Sequence, residues 1–221
     1  MTKIVPTITA NNPEEYAFQL ERLAFASRIH VDITDGDLAP SQTVNLNQIY
    51  WDRSEILREI DLHLMMRRPI EWLHQIVALA PDLVILHAES DNALQDLPRM
   101  AKHLRKFGIK FGVAVLPETG VRDVYDLIKI ADYVLVFGGH LGYQGGKADL
   151  NQLEKVAKTR EILNQVQNGQ CEIAWDGGAN LKNVAEIAAA GVDVINVGSA
   201  IMRNQNPEQS YRELVSAVSD E

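Results

Sequence analysis

The sequence predicts an α/β fold, a closed (β/α)8 barrel, on three observations. Short, continuously apolar, β-branched runs recur along the chain, amphipathic stretches separate them, and no linker or Pro/Gly/Ser-rich break interrupts the alternation. Apolar runs of this kind suit strands covered on both faces. Strict βα alternation means parallel strands with helical crossovers. Eight units favour a closed barrel, with an open doubly wound sheet as the alternative. At 221 residues the chain has room for one barrel and few insertions, so residues 1–221 are expected to form a single domain.

The elements follow in order. A strand over 3–9 leads to a helix over 13–26, started by Asn12-Pro13 and carrying Phe18, Leu20, Leu23 and Phe25 beside Glu and Arg. Strands over 28–34, 59–65 and 82–87 come next, then a helix over 92–107 with Leu94, Leu97, Met100, Ala101 and Leu104 at helical spacing. Gly108 follows where a C-terminal glycine is expected. Strands over 110–115 and 132–137 flank a helix over 121–130, and a helix over 151–165 precedes a strand over 171–175. Asn180 starts a helix over 181–190 that Gly191 closes, a last strand covers 193–197, and Asn206-Pro207 opens a helix over 207–218.

Composition narrows the function. Apolar residues make up 46% and charged residues 23%, as in ordinary globular proteins. A net charge of −9 argues against a broad nucleic-acid or anionic-membrane surface. It leaves an anionic substrate open, because backbone N–H groups or a metal make locally positive pockets. The lone Cys171 cannot form an intramolecular disulfide or a Cys-rich zinc site, and its apolar run reads as a buried thiol. No apolar run approaches the roughly 18 residues of a membrane span. The N-terminus lacks a signal-like stretch, so a cytoplasmic protein is expected.

Four residues stand out for chemistry. In His30-Val31-Asp32, residues two apart on a strand share a face, so imidazole and carboxylate project together into the barrel. His63 sits near the end of the next strand, and Asp176 follows the apolar Ile173-Ala174-Trp175. Each has a plainer reading: a hydrogen-bonded core pair, a satisfied buried histidine, the cap of a turn. Their shared position at strand C-termini, where barrel enzymes place their sites, favours chemistry. Two imidazoles and two carboxylates suit a divalent transition metal. Gly177-Gly178 before one helix and Gly198-Ser199 after the last strand lie where barrels bind phosphate. The glycine-rich run 138–147 reads as a lid or a flexible connection.

The ordered set of motifs resembles the ribulose-phosphate 3-epimerase family over nearly the whole chain. The matching pieces are Val5-Pro6-Thr7-Ile8, His30-Val31-Asp32 with Asp35-Gly36 and Pro40, His63-Leu64-Met65, His87-Ala88-Glu89, Asp176-Gly177-Gly178 and Gly198-Ser199-Ala200-Ile201. The resemblance implies a ribulose-phosphate-binding type of TIM barrel, an isomerase of the pentose phosphate pathway. It implies that His30, Asp32, His63 and Asp176 bind one divalent metal (Zn, Fe, Mn or Co), with Asp32 and Asp176 as the catalytic acid/base pair on opposite sides of the barrel. Thr7, His63, Gly142, Gly145, Gly177, Gly178, Gly198 and Ser199 would contact the sugar or its phosphate. A phosphorylated sugar is the expected partner, without nucleic acid or membrane, in a small homo-oligomer.

Some positions depart from the family pattern. Thr34 and Phe137 stand where methionines pack around the metal, and the lid reads Gly138-Gly139-His140-Leu141-Gly142-Tyr143-Gln144-Gly145-Gly146. Asp37-Leu38-Ala39 also differs before Pro40. The leading expectation is a metal-dependent 3-epimerase of D-ribulose 5-phosphate and D-xylulose 5-phosphate, acting through an enediolate. The alternatives are an epimerase or isomerase for another sugar phosphate, such as a six-carbon ketose phosphate, or a non-catalytic sugar-phosphate-binding barrel. Of the other histidines, His74 and His103 are expected on helix surfaces and His87 beside the site. Trp51, Trp72 and Trp175 are expected to pack.

Overall fold

The structure is a computed structural model and describes residues 1–51, 58–142 and 145–219. The lid residues Tyr143 and Gln144 lie outside the described residues. Eight strands, β1 (Lys3–Ile8), β2 (Arg28–Thr34), β3 (Glu59–Met65), β4 (Leu83–His87), β5 (Lys110–Val115), β6 (Tyr133–Phe137), β7 (Glu172–Asp176) and β8 (Val194–Val197), close into one barrel. All neighbouring pairs are parallel, and β1 pairs with β8 to complete the ring. The open-sheet alternative is excluded.

Four strands, β4, β6, β7 and β8, begin one residue later than the apolar pattern predicts, and β4, β6 and β8 share a reason. Asp82, Asp132 and Asp193 stop short of the ladder and turn their carboxylates onto the preceding strand. They accept from Ile60 N at 2.7 Å, Phe111 N at 2.9 Å and Ile173 N at 2.7 Å. Each cap satisfies a backbone donor at the bottom rim that no neighbouring strand reaches. Arg105 and Arg160 in turn pair with Asp132 and Asp193.

The helices are α1 (Pro13–Arg22), α2 (Leu73–Leu79), α3 (Ala93–Leu104), α4 (Tyr125–Ile130), α5 (Leu153–Gln165), α6 (Val184–Ala189), α7 (Ser199–Met202) and α8 (Pro207–Ser219). Asn12 caps α1 by accepting from Glu15 N at 2.8 Å, and Asn206 accepts from Gln209 N at 3.1 Å at the start of α8. Two helices, α4 and α6, start three or more residues later than predicted. Asn180 and Asn183 side chains bond to backbone N–H groups of Lys182 and Asn180, holding a turn that delays α6 to Val184. Successive four-residue turns through Gly120–Asp123 and Arg122–Tyr125 do the same before α4. The apolar pattern does not announce α2, which follows a 3-10 turn at Pro69–Trp72 and fully buries only Ile76. Among the described residues between β2 and β3 there is no helix; the chain there makes an antiparallel bridge between Asp35 and Gln42.

Alternate side chains divide the core in two. Outward residues such as Ile29, Val31, Ile33, Leu62, Leu64 and Trp175 pack against the helices. The inner face is filled by Val5, Leu83, Ile85, Ala114, Tyr133, Leu135, Ala174 and Val194, so the barrel is a packed solid below its mouth. The bottom is closed by charge. Arg28 donates to Asp61 at 2.8 and 3.1 Å and to Glu172 at 2.8 Å, its guanidinium 5.6 Å from the Tyr133 ring centre. Polar chemistry is thereby left to the other end.

Candidate metal centre and substrate pocket

β2, β3 and β7 end in inward-facing polar side chains that meet at the mouth. His63 Nδ1 lies 2.9 Å from Asp32 Oδ1 and 3.7 Å from Asp176 Oδ2. His30 Nε2 lies 3.2 Å from Asp32 Oδ1 and 3.7 Å from Asp176 Oδ2. One donor atom from each of the four residues falls within 4.8 Å of every other. Both imidazoles are fully buried, and neither ring nitrogen of His30 makes a hydrogen bond. A buried imidazole with unmet hydrogen-bonding capacity is costly, and here its Nε2 faces two carboxylates.

The donor set fits a divalent cation. Ligand atoms about 2.1 Å from an ion stand about 3.0 Å apart at right angles and about 3.4 Å apart at tetrahedral angles. The four His–Asp spacings, 2.9 to 3.7 Å, bracket those values. Asp176 is the last residue of β7. β2 and β7 are three strands apart through β1 and β8, so Asp32 and Asp176 converge obliquely and not from diametrically opposite strands.

Electrostatics separates the two carboxyls. Burial works against ionisation of Asp32, but the facing nitrogens of His30 and His63 outweigh it and hold its pKa below the usual range. Burial, reinforced by the charge of Asp32, pushes Asp176 up to about 7. Burial brings His63 down to about 4 despite Asp32. It also disfavours charge on His30, where the surrounding carboxylates prevail and raise the pKa.

Above the cluster a pocket opens at the barrel mouth. Thr7, Gly142, Gly145, Gly177, Gly178, Gly198 and Ser199 line it together with Asp32 and Asp176, whereas His30 and His63, the latter also expected to contact the sugar, are fully buried beside the carboxylates and do not line it. Gly177 and Gly178 have φ of +117° and +67°, and a Cβ on either would overlap backbone of Gly139 or Ala148. Only glycine lets the loops after β6 and β7 approach this closely. Ser41 Oγ donates to Gly142 O and ties the loop after β2 to the lid. Phe137 forms part of the wall, its ring centre 6.4 Å from that of His63. Thr34, expected in that wall, is buried and does not line the pocket.

Three contributions are not evident in the sequence reading. Thr9 Oγ1 donates to Asp32 Oδ2 at 2.8 Å, and its position two residues after Thr7 was the available signal. Asn196 lines the pocket with its Oδ1 unpaired; one amide inside the apolar run of β8 marks it. Glu89 accepts from Leu116 N at 3.0 Å and lies 3.3 Å from His87 Nδ1. Among the other histidines, His87 is fully buried beside His63, His74 is exposed, and His140 is exposed at the pocket edge. Trp175 is buried and its indole donates to Gly177 O at 2.9 Å. The Cys171 thiol is free and buried.

The profile of the ribulose-phosphate 3 epimerase family matches residues 3–202. The chain belongs to this family. It is 29% identical over 193 residues to the ribulose-phosphate 3-epimerase of Aquifex aeolicus, covering 87% of this chain and 85% of that one. The Helicobacter pylori (strain 26695) ribulose-phosphate 3-epimerase is 28% identical over 210 residues, with 92% of each covered. Among solved structures, a 3-hexulose-6-phosphate synthase superposes with a TM-score of 0.73 at 17% identity, covering 99% of this chain and 100% of that one. The Streptococcus mutans KGPDC gives 0.72 at 11% identity, covering 99% and 97%. These two share the barrel. Family membership makes the chain one of the epimerases, a group of isomerases, and its Asp/His cluster is a group able to hold a metal. No helix among the described residues is long and apolar enough to cross a membrane.

Proposed function

We propose that the protein is a metal-dependent ketose-phosphate 3-epimerase that interconverts D-ribulose 5-phosphate and D-xylulose 5-phosphate. The observation that carries this reading is the convergence of His30, Asp32, His63 and Asp176 at the pocket floor of a ribulose-phosphate 3-epimerase family member.

A C3–H bond beside a ketone is a weak acid, so its removal needs a positioned base and a sink for the charge. One of the two carboxylates removes the C3 proton from one face of the sugar. The other returns a proton to the opposite face of the planar enediolate, which inverts C3. In the reverse direction they exchange roles. A divalent ion held by His30, Asp32, His63 and Asp176 would supply positive charge toward the oxygens that become negative as the proton leaves. The Thr9 hydroxyl on Asp32 Oδ2 keeps that carboxylate aimed. Thr7 and Asn196, whose Oγ1 and Oδ1 are buried and unpaired at the pocket, take the sugar hydroxyls. Backbone at Gly177, Gly178, Gly198 and Ser199 holds the phosphate, and the lid glycines Gly142 and Gly145 border the substrate.

The Phe137 wall and the exposed His140 favour a second reading, the same chemistry on a longer ketose phosphate. A panel of five- and six-carbon ketose phosphates, with products resolved by NMR, decides between them. Turnover of the five-carbon pair supports the leading reading; turnover confined to a six-carbon substrate overturns it.

A further inference from the structure

Behind the cluster, a line of polar contacts runs from Asp32 through two buried histidines to a glutamate. His63 Nδ1 is 2.9 Å from Asp32 Oδ1, His63 Nε2 is 2.9 Å from His87 Nε2, and His87 Nδ1 is 3.3 Å from Glu89 Oε2. The two rings are within 24° of parallel, with centres 5.0 Å apart. With nitrogens only 2.9 Å apart, they meet edge to edge, as an N–H···N hydrogen bond requires. Both histidines are fully buried, so no solvent competes for these positions.

We propose that His87 and Glu89 are positioning residues that fix the tautomer of His63, so that its Nδ1 presents a bare lone pair to the metal position. The proposal rests on the metal reading above and adds the mechanism by which one ligand is oriented.

The argument is a count of hydrogens. Glu89 can only accept: its other oxygen already takes the Leu116 backbone N–H at 3.0 Å, and the Thr119 side chain bonds to it as well. His87 must therefore put its hydrogen on Nδ1, leaving Nε2 bare. His63 must then put its hydrogen on Nε2, leaving Nδ1 bare. Two neutral imidazoles carry two N–H groups for three contacts. A cation between His63 Nδ1 and Asp32 completes the third, and every polar atom of the line is satisfied. Metal-bound histidines generally donate their other N–H to such a partner, which sets ring orientation and ligand basicity. Here the partner is a second histidine, itself set by a carboxylate anchored to the loop after β5.

Glu89→Gln tests this with an isosteric change. The fixed Leu116 N–H claims the amide oxygen, so the amide NH2 faces His87 Nδ1 and reverses the line. Full-length protein carrying Zn²⁺ is studied by nitrogen-15 NMR of the histidine rings, and Zn²⁺ affinity by competition with a chromogenic chelator. The expected wild-type spectrum has hydrogens on His63 Nε2 and His87 Nδ1. In the variant the His87 hydrogen moves to Nε2, and Zn²⁺ affinity falls roughly 10–100-fold. A wild-type spectrum with the opposite hydrogens overturns the proposal without any variant. So does a Glu89→Gln protein with unchanged affinity. Failure of the wild type to bind Zn²⁺ is a different result: it removes the metal reading, and the proposal falls with it.

Discussion

Removing the Asp132 carboxylate should destabilise the barrel far more than its partial exposure suggests. Asp132 Oδ2 accepts from Phe111 N at 2.9 Å and pairs with Arg105 at 3.0 Å. The Arg105 guanidinium is 43% exposed, so that pair contributes within about 0.5 kcal/mol. The backbone bond matters more, because Phe111 is fully buried and Asp132→Ala leaves its N–H without an acceptor. Stranding such a donor costs about 1–3 kcal/mol, giving about 2 kcal/mol in total. For a chain of this size that is roughly a 4–8 °C fall in Tm. Urea and thermal unfolding by circular dichroism measure it, with Asp132→Asn, which keeps an acceptor oxygen, and Asp126→Ala, at an exposed carboxylate, as comparisons. The expected order is Asp132→Ala well below the other two. If Asp132→Ala unfolds no more easily than Asp126→Ala, the rim caps contribute nothing and the account of the strand starts is wrong.

Three further outcomes follow from single contacts. Lys155 is buried and donates to the carbonyls of Leu116, Pro117 and Thr119 at 2.7 to 2.8 Å, so Lys155→Met should cost about 2–4 kcal/mol in urea unfolding, against under about 0.5 for Lys158→Met. Burial pushes the Cys171 thiol up to about 12, so it should resist aromatic disulfide reagents at pH 8 until the protein unfolds. The unfolded thiol ionises from about pH 9 while the native one keeps its proton, so native stability falls as pH rises. Between pH 9 and 10.5 the wild type should lose about 2 kcal/mol relative to Cys171→Ala, and equal slopes would contradict the burial argument. Gly177→Ala places a Cβ against Gly139 backbone at φ +117°, and should lose about 1–3 kcal/mol of stability and raise KM for a phosphorylated substrate.

The barrel was legible because its strands are apolar on both faces and its helices on one. Three of the four late strand starts have one cause: Asp82, Asp132 and Asp193 stand beside apolar runs but serve as caps, a role visible only once the neighbouring strand is in register. The late starts of α4 and α6 come from local side-chain and turn bonds that compete with the helix. In the site, His30 and Asp32 were readable from the two-residue period, and His63 and Asp176 from their place at strand ends. The His87–His63 contact was not readable. It depends on the β3–β4 register, in which His63 pairs with Ile85 and His87 stands one inward position above it. Asn196 and Thr9 were hidden differently, as single polar residues whose value appears only when the pocket forms around them.

The central claim is that Asp32 and Asp176 move the C3 proton of a ketose phosphate above a metal. Its most direct test is NMR of D-ribulose 5-phosphate in D2O with Zn²⁺-, Mn²⁺- or Co²⁺-loaded protein, beside Asp32→Asn and Asp176→Asn. The account predicts deuterium at C3 together with D-xylulose 5-phosphate for the wild type, and epimerisation slowed by at least roughly 10²–10⁴-fold in each variant. A metal-loaded wild type that leaves C3 protonated, or a variant that epimerises at the wild-type rate, would contradict it.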